Sequence, residues 1–163
     1  MGKKLVAVLS ENIYRLPFDG KFINPSAAPK HHKSMINALD FPMSEGTQIY
    51  SALNGIIIEV KSDSNIGGSD ESLRDSGNLI RIQHENGEYS EYVHLKYKGS
   101  LVKEGDKVSK GQLIGYSGTT GFTSYPHLHF GVYIFINNKA VYIKPRFKIK
   151  NIIKTISSPD IEE

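Results

Sequence analysis

The chain has 163 residues, 39% hydrophobic and 23% charged, with a net charge of +3 and a pI near 8.9. That length suits one well-cored domain, the scattered lysines leave no nucleic-acid footprint, and no apolar run is long enough to span a membrane. Cysteine is absent, which excludes disulfides, thiolate zinc sites and cysteine nucleophiles, so any zinc would rest on His, Asp or Glu.

From the N-terminus, Met1 to Lys4 and the apolar Leu5 to Leu9 faintly suggest an export signal. The run is too short and lacks a small-x-small cleavage site, so it is predicted as a first strand. Further strands are expected at Gln48 to Ala52, Gly55 to Val60, Asn78 to Gln83, Tyr89 to His94, Gln112 to Tyr116, Leu128 to Ile136 and Ala140 to Ile143. No long amphipathic helix interrupts this pattern, which predicts a mostly β, single-domain fold. Asn86-Gly87 marks a hairpin turn that needs positive φ, and Asn137-Asn138 marks another. Ser62 to Ser76, rich in Ser, Asp and Gly, reads as a long exposed loop and a possible lid. Val102 to Gly115 alternates apolar residues with paired glycines, an architectural β-turn segment. The expected organisation is an extension at 1–13, a domain at 14–150 and a tail at 151–163, frayed from Thr155 onward.

Chemistry concentrates in six histidines. In Pro126-His127-Leu128-His129-Phe130, residues two apart on a strand share a face, so His127 and His129 emerge together while Leu128 and Phe130 face the other way. His129 can serve as one ligand of a hydrolytic zinc, which needs three protein ligands and an open position for water. Asp40 is the best carboxylate available, since Leu39 and Phe41 flank it and an unpaired charge there would be costly. His31 and His32 can supply the third ligand, although taken alone they read as an exposed loop doublet. His94 ends a strand and, with His127, could flank a metal without binding it. His84, beside the Asn86-Gly87 turn, reads as a surface residue.

Ala38-Leu39-Asp40-Phe41, Glu45-Gly46-Thr47, Gly55 to Ile58, Tyr92-Val93-His94-Leu95, Gly105 to Gly115, Ser117 to Gly121 and Pro126 to Phe130 together resemble the lysostaphin-type, or β-lytic, zinc metallopeptidases. The motifs stand in the family's order and span roughly Tyr14 to Ile143. The resemblance implies an antiparallel β-sheet with a groove above it, of the duplicated hybrid motif kind. It implies one Zn2+ per chain held by His32 (or His31), Asp40 and His129, with His94 and His127 catalytic. It also implies an endopeptidase acting on peptidoglycan stem peptides or cross-bridges, expected as a monomer in the periplasm, the envelope or outside the cell.

Asp40 follows His32 by eight residues, a longer interval than many members show. Tyr125 stands where a glycine often precedes the Pro-His-Leu-His run. Its ring could narrow the groove or stack on substrate, or it could be an ordinary surface tyrosine.

Two other classes remain open at this level. A metal-free relative could bind cell wall or regulate a partner hydrolase, and stretches similar to Gly105 to Gly115 occur in carrier and phosphotransfer domains. None of the three methionines precedes a lysine, which argues against a biotinyl or lipoyl carrier.

Overall fold

The computed structural model describes residues 8–26 and 35–159. The sequence-predicted strand at Leu5 to Leu9 falls mostly outside this range, and strand β1 runs Leu9–Tyr14. It is followed by β2 Leu39–Pro42, β3 Gln48–Tyr50, β4 Gly55–Lys61, β5 Gly67–Gly68, β6 Asn78–Gln83 and β7 Tyr89–Leu95. Then come β8 Lys107–Val108, β9 Leu113–Tyr116, β10 Gly121–Phe122, β11 His127–Ile136, β12 Lys139–Ile149 and β13 Ile152–Thr155. Helices among the described residues are short 3-10 turns at Glu71–Ser76 and Glu85–Gly87.

One nine-stranded sheet dominates, ordered β1-β12-β11-β7-β6-β4-β8, with β13 added on β12 and β2 on β11. Its pairings are antiparallel except β1 with β12. Two small ladders, β3 with β9 and β5 with β10, complete the fold. The period-2 pattern explains the sheet. Ile80 and Ile82 of β6 and Leu128 and Phe130 of β11 are fully buried on one face. There they join Tyr14, Phe41, Tyr92 and Phe147 in a single core. Each such side chain contributes about 1.5–3 kcal/mol relative to exposure.

Turn chemistry sets the hairpins. Asn86 and Gly87 have φ of 62° and 66°, and Asn137 and Asn138 have 50° and 63°, the left-handed pair that a two-residue hairpin demands. A third such pair, Lys150 and Asn151 at 47° and 66°, joins β12 to β13.

Three expectations are corrected. The 62–76 stretch is not merely an exposed loop: β5 pairs with β10 and Asp70 caps the 3-10 helix through Ser72 N. The C-terminal stretch is anchored past Thr155, since Ile156 is buried in the core and Ser158 Oγ donates to the Ala38 carbonyl at 3.1 Å. His84 is buried rather than superficial. Its Nδ1–H donates to the Asn54 carbonyl at 2.7 Å, its Nε2 lies 2.7 Å from Ser90 Oγ, and Tyr14 packs edge-on against the ring.

The N-terminal strand is tied in by one carboxylate. Glu88, itself buried, accepts from Glu11 N at 2.7 Å, Asn12 N at 3.2 Å and the Tyr14 hydroxyl at 2.9 Å. These bonds lie where the β1–β12 register slips, so a side chain replaces the missing ladder partners. Burial, then the Glu88 charge, pushes the Tyr14 hydroxyl pKa far upward.

Candidate active site

Strand β11 brings His127 and His129 to one face and seats Leu128 and Phe130 in the core. Strand β2 lies antiparallel along its first half with Asp40 directly opposite His129. Asp40 Oδ1 is 3.2 Å from His129 Nδ1 and 3.5 Å from His127 Nε2, and all three residues are buried. Burial works against a charged His129, but the Asp40 hydrogen bond and charge prevail and raise its pKa.

His94 completes the cluster from β7. Its ring centroid lies 4.6 Å from that of His127 and 6.1 Å from that of His129. Its Nδ1–H donates to the Thr120 carbonyl at 2.7 Å, which leaves Nε2 as the basic nitrogen. Burial, and then the two neighbouring imidazoles, push its pKa down to about 3.

His127 is held in the same fashion. Its Nδ1–H donates to the Tyr125 carbonyl at 2.9 Å with Thr123 Oγ1 at 3.1 Å, so Nε2 faces Asp40. The Tyr125 ring stacks on His127 at a centroid distance of 4.5 Å, and its hydroxyl bonds Ser26 Oγ. Ser26 in turn pairs with the Asp40 backbone. Tyr125 is thus not a plain surface residue: half-buried, it packs onto His127 and lines the groove.

These groups line a cleft of about 610 Å³ over one face of the sheet. Its floor was not recognised from sequence. Glu59, Arg81 and Glu91 stand at matching positions on β4, β6 and β7, where Arg81 pairs in register with both acids. Arg81 bonds Glu59, and reaches Glu91 at 3.3 Å. The Tyr142 hydroxyl donates to Glu91, and its ring lies over Gly131, where a Cβ would meet ring atoms at 2.2 and 2.4 Å. The signal was present as alternation: Glu59, Leu79, Arg81, Glu91, Val93, His127 and His129 all occupy the cleft-facing register.

His31 and His32 lie outside the described residues, and among the described residues no group of three or more His, Asp or Glu side chains forms a metal centre. The donors present nevertheless suit zinc. Two ligands sharing one tetrahedral zinc sit roughly 3.3 Å apart, and Asp40 Oδ1 and His129 Nδ1 are separated by 3.2 Å. Both are the hard or borderline donors that remain to a chain lacking cysteine.

Comparison with known proteins gives the family. The family model described as peptidase family M23 matches residues 34–145, a span that holds Asp40, His94, His127 and His129. Peptidoglycan DD-endopeptidase ShyA of Vibrio cholerae is 38% identical over 94 residues, covering 58% of this chain and 19% of that protein. Lysostaphin of Staphylococcus simulans is 42% identical over 94 residues, covering 56% of this chain and 17% of its own. The chain therefore spans less than a fifth of the length of these two relatives. Among solved structures, a zinc containing peptidase from Vibrio cholerae superposes with a TM-score of 0.58 at 30% identity, over 81% of this chain and 39% of that one. The catalytic domain of lysostaphin from Staphylococcus simulans gives 0.53 at 30% identity, over 77% and 88%. With more than half its length matched and the histidine-aspartate cluster inside the match, the chain belongs to peptidase family M23.

Proposed function

We propose that the protein is a zinc-dependent endopeptidase that hydrolyses peptide bonds in peptidoglycan stems or cross-bridges, and that it works outside the cytoplasm as a monomer. The observation that carries this reading is the placement of Asp40 within 3.2 Å of His129 and 3.5 Å of His127 in the cleft. The names of its relatives support the substrate class, and the lysostaphin-type motifs support the roles.

His32, Asp40 and His129 would hold the metal. Bound zinc supplies Lewis-acid polarisation of the scissile carbonyl and of the attacking water. The remaining work falls to two imidazoles whose tautomers are set by backbone carbonyls. His94, with its Nδ1–H held by the Thr120 carbonyl, presents an unprotonated Nε2 to the cleft, where it can accept the proton of the attacking water. His127, with its Nδ1–H bound to Tyr125, presents Nε2 beside Asp40, where it can carry a proton to the leaving amine or face the developing oxyanion.

The test compares metal content and turnover of purified peptidoglycan peptides in the wild type and two variants. Asp40→Ala should lose stoichiometric zinc. His127→Ala should keep the metal and lose turnover by about 10²–10⁴-fold. Full zinc in Asp40→Ala, or undiminished cleavage in His127→Ala, would overturn the assignment.

A further inference from the structure

His94 occupies a backbone position that is uncommon for a residue with a Cβ. Asn78 of β6 pairs with Leu95 of β7 and Leu79 pairs with Val93, so His94 is the extra residue of a β-bulge. Its φ is 66°, in the left-handed region that costs a residue with a Cβ about 1–2 kcal/mol. Such bulges re-aim a side chain, and here the re-aimed chain points its imidazole at His127. Something must hold the backbone there.

The restraint is a buried polar network behind the bulge. Asn78 is fully buried. Its Oδ1 accepts from Ser64 N at 3.0 Å, while its Nδ2 donates to Ser64 O at 2.8 Å and to Leu95 O at 3.3 Å. Its backbone N–H donates to Thr120 Oγ1 at 3.0 Å, and that hydroxyl donates to Leu95 O at 2.7 Å. Thr120 is also the residue whose carbonyl receives the His94 Nδ1–H.

The outer side closes the ring of contacts. Gly121 N donates to Ile66 O at 2.9 Å, and β5 lies so close to the Thr119-Thr120 backbone that a Cβ on Gly67 would sit 1.8 Å from Thr119 O. The segment from Ser64 to Gly68 is therefore a fixed brace against the Thr120 peptide. One asparagine holds that brace, the end of the strand after His94, and the residue that sets the His94 tautomer.

We infer that Asn78, acting with the Thr120 hydroxyl, is a positioning residue for His94: it sustains the left-handed bulge and the Nδ1–H tautomer that leaves Nε2 toward the cleft. The inference rests on reading His94 as a catalytic base. Neither group reaches the cleft cluster directly, so a loss of catalysis would be transmitted through His94.

The experiment is imidazole 15N–1H correlation spectroscopy on zinc-loaded protein, with kcat, KM and metal content measured on the same samples. Thr120→Val keeps the shape and removes the hydroxyl; Thr120→Ser keeps the hydroxyl; Asn78→Ala removes the side-chain links, and Thr120→Val stands in should that variant not fold. In Thr120→Val the single Nδ1–H signature of His94 should give way to a tautomer mixture. Its kcat should fall roughly tenfold or more, with KM within about twofold and zinc unchanged, while Thr120→Ser stays near wild type. A His94 signature identical in wild type and Thr120→Val would overturn the proposal. A shifted signature in a protein whose wild type cleaves no peptidoglycan peptide would uphold the positioning role and overturn the proposed activity instead.

Discussion

The left-handed bulge makes a prediction opposite in sign to ordinary strand behaviour. Replacing His94 by alanine or by glycine removes the imidazole equally, so the two variants differ only in how well each backbone tolerates φ of 66°. Alanine keeps a Cβ and its penalty of about 1–2 kcal/mol. Glycine escapes that penalty but loses about 0.5–1 kcal/mol more conformational entropy on folding. Glycine should therefore be the more stable by about 0.5–1 kcal/mol, or roughly 1–4 °C in Tm for a domain of this size. The neighbouring Val93 lies outside the positive-φ set, so the same pair there should rank alanine above glycine by about 0.5–1 kcal/mol. Urea unfolding of metal-free protein at fixed pH reads the difference as a shift in midpoint at constant slope, and leaving out zinc removes its own linkage to stability. If His94→Ala matches or exceeds His94→Gly, the bulge is not strained and the argument fails.

Two further perturbations follow from buried groups. His84 has its pKa lowered to about 4 by burial, against an ordinary value near 6.5, so the unfolded chain binds a proton that the folded chain refuses between those pH values. Stability should be full above about pH 6.5 and fall by about 3 kcal/mol as pH drops to 4; His84→Gln should lack that part of the slope in pH-dependent urea unfolding, and an unchanged slope would refute the assignment. At Gly131, a methyl would collide with the Tyr142 ring at 2.2 and 2.4 Å. Gly131→Ala should cost about 1–3 kcal/mol, and adding Tyr142→Ala should recover part of it, so strictly additive losses in a double-mutant cycle would contradict that contact.

How much of this was legible in the sequence depends on how local each signal is. Asn78 to Gln83 was readable to the residue because β6 alternates cleanly, and Asn86-Gly87 and Asn137-Asn138 announced turns by their own chemistry. The equivalent turn at Lys150-Asn151 was missed because lysine carries no preference for positive φ. Strand β2 was missed as well: it runs only Leu39–Pro42 and ends in a proline, so its single apolar-acid-apolar alternation is too short to read as a strand. Its carboxylate was still singled out, since an acid between two large apolar residues needs a partner. That partner is His129, directly opposite in register.

The rest depended on pairing, which sequence does not display. His84 looked superficial because it adjoins a turn, yet the ring turns inward beneath Tyr14. Glu59, Arg81 and Glu91 are unremarkable charges on three strands until the β4–β6–β7 register sets them side by side across the cleft floor. His94 shows the limit most sharply. A resemblance could name it, but its aim depends on one residue more in β7 than in β6, and on an asparagine sixteen residues earlier that never faces the cleft. Ligand identity is a local property of side chains and survives in short motifs. The direction in which a base points is a property of register, and it emerges only when the strands are paired.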